Sequence, residues 1–406
     1  MRVKVRRAGL QTTVQDAGRR GLEHMGVMVN GWLDDYAAAW ANRLVGNEPN
    51  AALLEITLLG PELMVLDSGW LALTGADLTA AVNGQPWPPG SAREVYSGDL
   101  ITFSSAARGA RAYLSGAGGI EIEPVLGSRS TDLVARFGGL EGRAVRDGDV
   151  LVFAGGQGTS RHASVDTCWL SSEIRILPGV RLDRLATGSF DRLVQSPYRV
   201  SPQSDRVGLR MAGAVIEPGP SAHSISEGIA IGSIEVPPGG ELLILLKSRG
   251  SIGGYPTLAH VIQADWPLLG QLKPGDMIRF RAVSMEDARQ ALVNQQQLLS
   301  SEMIEEKLDT PLASAPKATK VITVSAPMWC VAYVAQNPDQ PPLVKEGDHV
   351  VVGQLLAVLE VMKQFYDLVS PAAGIVRSVG FQDAEMVDEG TVLFEIEGDL
   401  REEGTA

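Results

Sequence analysis

The sequence predicts a mainly β protein with two or three domains, and two observations support this prediction. Glycine (45 residues) and proline (23 residues) are frequent in the 406-residue chain and separate short apolar runs, which is typical of strands joined by tight turns. A Gly-Asp pair followed by alternating apolar residues also recurs, at 97–103, 147–153, 274–280 and 346–352. Because glycine supplies positive φ and aspartate bonds nearby backbone, we interpret these repeats as structural turns of β-barrels without chemistry.

The elements follow from this pattern in chain order. Strands are predicted at 1–8, 51–58, 62–66, 69–74, 78–82, 100–103, 111–115, 149–153 and 173–177, and polar, glycine-marked loops at 11–21 and 26–31. A helix is predicted over 34–45, because Asp34 or Asp35 can cap it and Trp40 and Leu44 lie on its apolar stripe. Further helices are predicted at 183–195 and, most clearly, at 285–308.

Composition divides the chain near its C-terminal quarter. Residues 309–320 are rich in Ala, Pro, Ser and Thr, which predicts an extended, flexible linker. We therefore expect a first domain at 1–284, a helix at 285–308, the linker at 309–320 and a small β domain at 321–398.

Charge and cysteine usage exclude several classes of protein. A formal charge of −13 argues against a nucleic-acid partner, and no apolar run reaches the roughly 20 residues of a membrane span. The basic N-terminus lacks a following apolar core, so no secretory signal is predicted. Cys168 and Cys330 lie too far apart for a disulfide framework or zinc spacing, and the scattered histidines indicate no metal site. We expect a cytoplasmic protein.

The sequence Glu360-Val361-Met362-Lys363 lies between two short predicted strands, so Lys363 is expected at the tip of a tight hairpin, projecting into water. Met-Lys at such a turn resembles the attachment site of biotinyl carrier domains, as do the flanking segments 326–328, 344–354 and 371–376. An insert at 336–342 resembles the thumb loop of some such carriers. The departures are Cys330 in place of Gly and Gln364 after the lysine. The resemblance implies covalent biotin on Lys363, attached by a biotin protein ligase. Lipoyl domains, the alternative, usually have Asp where this chain has Met362.

Several motifs recur through the first 284 residues, at 13–19, 41–47, 126–131, 204–208, 253–256 and 271–276. With these motifs in this order, the segment resembles the allophanate hydrolase subunit 2 family. This family includes half of the urea carboxylase carboxyltransferase domain and the C-subunit of bacterial 5-oxoprolinase. The implied fold is two cyclophilin-like β-barrels, joined by the helix and linker to a flattened β-barrel of the biotinyl-lipoyl class.

Two stretches depart from the family pattern. Ser248, Gly250, Ser251 and Ile252 replace its usual Asp, Gln and two Thr, and Glu235 replaces a Gln before Val-Pro. Since loops at a barrel mouth usually set specificity, these changes bear on the substrate.

Carboxyl transfer needs fixed hydrogen-bond donors and a group that accepts a proton. Tyr255, which follows Gly253 and Gly254, is the main candidate, and its alternative is a buried barrel tyrosine. The other candidates are polar residues in the matching motifs: Gln15, Asp16, Arg19, Asn30, Asp34, Asn42, Asp205, Arg206 and Gln271. For Asp16 with Arg19, and likewise for Asp205 with Arg206, the alternative is a salt bridge that braces the loop.

The resemblance implies the carboxyltransferase half-subunit and biotin carrier of a biotin-dependent carboxylase, transferring CO2 from carboxybiotin to urea or a related amide or lactam. The expected partners are a subunit 1-type protein and a biotin carboxylase that uses ATP and bicarbonate, since this chain has no ATP-grasp-like glycine-rich loop. One alternative is an ATP-dependent lactamase component like 5-oxoprolinase. Another is a non-catalytic regulatory subunit.

Overall fold

The computed structural model describes residues 1–156, 161–162, 171–217, 226–300, 321–336 and 340–398. The chain divides into a larger unit, Met1–Ser201 with Asp205–Leu308, and a smaller unit, Pro202–Ser204 with Asp309–Ala406. Both are built mainly from strands, as predicted. None of the described helices is both long and apolar enough to cross a membrane.

The first half of the larger unit contains two antiparallel sheets of six strands each. One has the order β11-β1-β4-β9-β6-β7 and the other β12-β8-β5-β10-β3-β2. The strands are β1 (Arg2–Arg7), β2 (Gln11–Gln15), β3 (Leu53–Thr57), β4 (Glu62–Val65), β5 (Gly69–Asp77), β6 (Ala81–Val82), β7 (Gln85–Pro86), β8 (Ser91–Val95), β9 (Leu100–Thr102), β10 (Arg108–Gly116), β11 (Val150–Val152) and β12 (Arg161–His162).

Helix α1 (Asp35–Leu44) packs on the second of these sheets. The Asp34 side chain caps it, accepting a hydrogen bond from the Ala37 amide at 2.8 Å, which satisfies one of the free N–H groups of its first turn. Tyr36, Trp40 and Leu44 form the predicted apolar stripe and are all buried. The cap and the stripe are therefore confirmed.

The second half of the larger unit closes into a barrel of seven strands. The barrel order is β13-β20-β17-β18-β15-β14-β21, and a separate two-stranded ribbon joins β16 to β19. The strands are β13 (Glu173–Pro178), β14 (Pro197–Val200), β15 (Gly208–Gly213), β16 (Glu227–Gly228), β17 (Ser233–Glu235), β18 (Leu242–Leu245), β19 (Ile252–Gly253), β20 (Thr257–Val261) and β21 (Met277–Ala282). Apolar side chains from all seven barrel strands form one core.

Three helices accompany the barrel: α2 (Ser189–Gln195), α3 (Trp266–Gln271) and α4 (Met285–Leu299). Short 3-10 turns lie at Glu23–Met25, Leu182–Arg184 and Gln263–Asp265. A capping box starts α4, in which Ser284 and Asp287 bond each other's backbone amides. The predicted helix 285–308 is thus present to Leu299, and 301–308 lie outside the described residues.

The smaller unit contains two four-stranded sheets, ordered β22-β29-β27-β24 and β26-β25-β23-β28. Their strands are β22 (Val321–Ser325), β23 (Cys330–Tyr333), β24 (His349–Val350), β25 (Leu355–Val361), β26 (Gln364–Val369), β27 (Gly374–Val379), β28 (Glu385–Val387) and β29 (Val392–Gly398). Cys330 is a buried free thiol, and burial raises its pKa to about 12, so it is inert at neutral pH.

The four Gly-Asp repeats form the same turn. Gly98, Gly148, Gly275 and Gly347 have φ between 89° and 96°. In each turn the aspartate carboxylate accepts a hydrogen bond from the amide three residues upstream, at 2.8–2.9 Å. The interpretation as structural turns is confirmed, and it explains why one short motif appears in both units.

Two local predictions were wrong. Residues 11–15, predicted as loop, form strand β2, because four of the five residues are buried and β-branched Thr12, Thr13 and Val14 suit a ladder with β3. The helix predicted over 183–195 is split, since Gly188 adopts φ 81° and starts α2 afresh. The predictions for the linker 309–320, for Cys168 and for part of the insert 336–342 lie outside the described residues.

Candidate functional sites

The Met362-Lys363 dipeptide is the two-residue loop of a hairpin. Val361 at the end of β25 pairs with Gln364 at the start of β26, and Lys363 is exposed. Met362 has φ 51° and Lys363 φ 59°. Positive φ at both loop positions defines a type I′ turn, which normally takes Asn-Gly. Neither residue suits the left-handed region, which costs roughly 1–2 kcal/mol per residue. Such strain persists where the flanking structure enforces it, and it is concentrated at functional sites.

The flank of this hairpin is ordered by an aromatic and a carboxylate. The Tyr333 hydroxyl donates to Glu360 at 2.7 Å, and this bond raises the pKa of Tyr333 to about 12. Phe365 lies opposite Glu360 in the ladder and is 67% exposed, with its ring 6.2 Å from that of Tyr333. The lysine is thus exposed at the tip of a braced hairpin.

In the larger unit, Asp16 and Arg19 both hold the segment 125–130. Asp16 accepts hydrogen bonds from Ser128, Ser130 and the Arg129 amide. Arg19 donates to the carbonyls of residues 125, 128 and 130, and stacks over Phe137 at 4.6 Å. No salt bridge joins Asp16 to Arg19 in the part of the chain that the structure describes. The loop is braced as in the alternative interpretation, but through other partners.

Gln15 and Asn42 also make internal contacts. The amide of Gln15 donates to Thr13 and to the Thr131 carbonyl. Asn42 is buried in α1, where its amide donates to the Ala51 carbonyl at 2.9 Å and its oxygen accepts from Ser115 at 2.7 Å. These contacts fix secondary-structure elements to one another.

Asp34 and Gln271 meet between the two halves of the larger unit. The Gln271 amide donates to the second carboxylate oxygen of Asp34 at 2.7 Å, while its own oxygen accepts from the Ala110 and Arg111 amides. Burial raises the pKa of Asp34 to about 7, and the bonds from Ala37 and Gln271 oppose that rise. The oxygen of Gln271 thus joins α3 to β10, and its amide joins α3 to the residue that caps α1.

Arg206 and Asp205 were also candidates, and the structure separates their roles. Arg206 is buried in an ion pair with Glu55 and also donates to the Gly31 carbonyl. The Asp205 carboxylate accepts from the amides of residues 207 and 208, closing a local turn.

Asn30 links the two halves of the larger unit. Its amide donates to Asp132 at 2.8 Å and its oxygen accepts from Ser248 at 2.8 Å. Ser248 is one of the residues that depart from the family pattern. Neighbouring Lys247 pairs with Asp35, and Arg249 is buried and donates to the Ile229 carbonyl at 3.0 Å.

The loop Gly253-Gly254-Tyr255 follows the β16–β19 ribbon. Tyr255 is 45% exposed, so the alternative of a buried barrel tyrosine is wrong. Beneath the ribbon lies Glu235, which is only 4% exposed, and burial raises the pKa of its carboxyl to about 7. In the sequence, Glu235 stood out only as a departure from the family pattern. The signal that could have singled it out is a carboxyl residue between the apolar residues Ile234 and Val236.

Comparison with known proteins identifies both parts of the chain. Residues 25–282 match the family described as carboxyltransferase domain, subdomain A and B. The chain belongs to this family. Residues 322–396 match the family of biotin-requiring enzymes, so a carrier domain follows the carboxyltransferase domain in one chain.

Individual relatives agree with both assignments. The chain is 38% identical over 295 residues to the C-subunit of 5-oxoprolinase from Escherichia coli, covering 72% of this chain and 95% of that protein. It resembles the Kluyveromyces lactis urea carboxylase structure with a TM-score of 0.69 and 26% identity, covering 89% of this chain but 33% of that one. The carrier domain is 32% identical over 92 residues to the biotin carboxyl carrier protein of acetyl-CoA carboxylase from Streptococcus pyogenes, covering 22% and 55% of the two chains.

Proposed function

We propose that this chain is the carboxyltransferase half-subunit and biotin carrier of a biotin-dependent carboxylase, with urea or a related amide or lactam as the acceptor. The observation that carries the proposal is the exposed Lys363 in the strained Met362-Lys363 hairpin of a biotin-type domain, in the same chain as a carboxyltransferase domain. When attached to Lys363, biotin supplies the ring nitrogen that carries the carboxyl group.

The chain spans one third of the urea carboxylase that it resembles, so the remaining activities belong to partners in this proposal. A biotin protein ligase loads Lys363. A biotin carboxylase uses ATP and bicarbonate to load the biotin, and a subunit 1-type protein completes the carboxyltransferase. The similarity to the C-subunit of 5-oxoprolinase supports the need for partner subunits.

The first experiment tests the carrier. The chain is expressed with a biotin ligase, and its intact mass and streptavidin binding are measured. We expect one biotin per chain, none on a Lys363→Arg variant, and normal loading of a Lys345→Arg variant, because Lys345 is in a Gly-Asp turn of the same domain. A wild-type chain without biotin would refute the carrier role.

The second experiment tests transfer. The biotinylated chain is combined with a biotin carboxylase and a subunit 1-type protein, and fixation of labelled bicarbonate is followed with urea, acetamide and 5-oxoproline as acceptors. We expect ATP-dependent labelling of an acceptor only when all subunits are present.

The 5-oxoprolinase-type lactamase is the second candidate, because 38% identity extends over 295 residues of this chain. Bicarbonate separates the two candidates. Carboxyl transfer requires bicarbonate, whereas ATP-dependent opening of the 5-oxoproline ring that continues without bicarbonate would favour the lactamase.

A further inference from the structure

Glu235 is a buried carboxyl group that has no partner among the described residues. It ends strand β17, where it pairs through the backbone with Leu243 of β18 and Thr257 of β20. In the described part of the chain its carboxyl group makes neither a hydrogen bond nor an ion pair, although the residue is only 4% exposed. Leaving a carboxylate unpaired in such a place is costly, and strongly perturbed carboxyls of this kind are concentrated in functional sites.

The Glu235 carboxyl lies directly beneath the Gly253-Gly254-Tyr255 loop. A Cβ atom placed on Gly253 would lie 3.2 Å from Oε1 of Glu235 and 2.2 Å from Cδ1 of Ile229. The ribbon pairs Gly253 with Glu227, so the cover over the carboxyl at this point is backbone without a side chain. Two residues further on, Tyr255 is exposed. The carboxyl and the tyrosine therefore belong to one small region of the barrel surface.

The charged and titratable residues around Glu235 are engaged elsewhere. Arg249 bonds the Ile229 carbonyl, and Nδ1 of His260 lies 3.2 Å from the Ser233 hydroxyl. Glu227 forms an ion pair with Arg184 at 3.3 Å. Burial is accordingly the cause of the raised pKa of Glu235, about 7, which suits a group that both takes up and releases a proton at neutral pH.

We infer that Glu235, which stands where the family usually has Gln, gives this chain a proton-transfer residue that such relatives lack, for the carboxyl acceptor bound against the Gly253-Gly254-Tyr255 loop. The inference rests on the proposed function. Bound biotin would supply the carboxyl group and, once that group has left it, a ureido nitrogen that takes up a proton. Glu235 would take the proton that the acceptor nitrogen or carbon loses as it bonds to the carboxyl carbon, and would pass it to that ureido nitrogen. No proton, electron pair or co-reactant is left over.

The position of Glu235 also restricts the acceptor. No cation pairs with the carboxyl among the described residues, so a carboxylate on the acceptor itself would add to the repulsion that the transferred carboxyl group already meets in this poorly solvated place. The site instead favours a neutral acceptor that presents an N–H or an acidic C–H to the carboxylate. Amides and ureas have this character.

The test compares Glu235→Gln with wild type in the reconstituted, biotinylated complex. Glutamine has the same shape and cannot accept the proton. We expect kcat for transfer to the best acceptor of the panel to fall about 10²–10⁴-fold, and the ionisation near neutral pH to disappear from the kcat/KM profile. Biotin loading on Lys363 and ATP-dependent carboxylation of that biotin stay normal. Glu235→Asp restores part of the rate.

Glu227→Gln is the matched control, because Glu227 lies on the covering ribbon but is exposed. It keeps wild-type transfer. Wild-type transfer by a stably folded Glu235→Gln complex would overturn this inference and leave the proposed function standing. A wild-type complex that carboxylates its own biotin but no acceptor would overturn the proposed function and this inference together.

Discussion

Arg206 forms a buried ion pair with Glu55, although 151 positions separate the two residues. Glu55 also accepts from the Leu33 amide at 2.8 Å and from the Tyr113 hydroxyl at 3.0 Å. The pair joins the two halves of the larger unit in a network that excludes water. A candidate substrate-binding arginine is therefore already occupied by a structural partner.

Replacing Arg206 should destabilise the larger unit. Arg206→Met leaves the Glu55 carboxylate buried with a weaker partner, Arg111 at 3.7 Å, so we expect a loss of about 3 kcal/mol in the free energy of unfolding. Urea denaturation measures it. Arg184→Met, which breaks the surface pair with Glu227, should cost at most about 1 kcal/mol. Equal losses in the two variants would contradict the structural role.

The buried Glu235 carboxyl should make stability depend on pH. Because folding raises its pKa from 4.5 to about 7, its stabilising contribution is complete below pH 4.5 and is lost as the pH rises through 7. The free energy of unfolding of Glu235→Gln, relative to that of wild type, should therefore rise by about 3 kcal/mol between pH 4 and pH 8. Denaturation of both proteins across this range checks the difference. A constant difference would mean that Glu235 ionises normally.

Relieving the strain at the carrier hairpin should stabilise the smaller unit. Lys363→Gly replaces a lysine at φ 59° by the residue that tolerates this conformation, so the free energy of unfolding should rise by about 0.5–1 kcal/mol while the attachment site disappears. Gln364→Gly, one residue later inside β26, should instead lower stability by about 0.5–1 kcal/mol. The melting temperature of the carrier domain, measured for both variants, distinguishes these two outcomes. A destabilised Lys363→Gly variant would show that the hairpin is unstrained.

The features that the sequence predicted well are local. Lys363 lies within two residues of both strands of its hairpin, and each Gly-Asp turn is closed within four residues, so chain neighbours determine them. The roles of Gln271 and Arg206 depend on partners more than 150 positions away, which no local pattern encodes. Glu235 could not be recognised for a related reason. Its burial arises only when the ribbon of β16 and β19 folds over strand β17.

The exposure of Tyr255 leads to the last prediction. At 45% exposed, the side chain is outside the barrel core, so Tyr255→Phe should leave the melting temperature unchanged. Gly253 and Gly254 before it allow backbone to approach a flat ring closely. The hydroxyl can then donate to an oxygen that gains charge during transfer, and losing one such donor typically costs about 10²–10³ in rate. We expect kcat for transfer by Tyr255→Phe to fall by this factor, while ATP-dependent carboxylation of the Lys363-bound biotin stays normal.

Tyr96→Phe provides the comparison for Tyr255→Phe. Tyr96 is 57% exposed, and its hydroxyl donates to Glu94 at 2.9 Å in the first half of the larger unit, away from the glycine loop in sequence and in sheet. Its removal should not change transfer. If both phenylalanine variants transfer at the wild-type rate, Tyr255 does not contact the reacting groups, and the loop serves to cover Glu235. If Tyr255→Phe alone is slow, the Tyr255 hydroxyl and the Glu235 carboxyl act on the same acceptor. The transfer rate of the double variant, Tyr255→Phe with Glu235→Gln, should then fall by less than the product of the two single-variant factors.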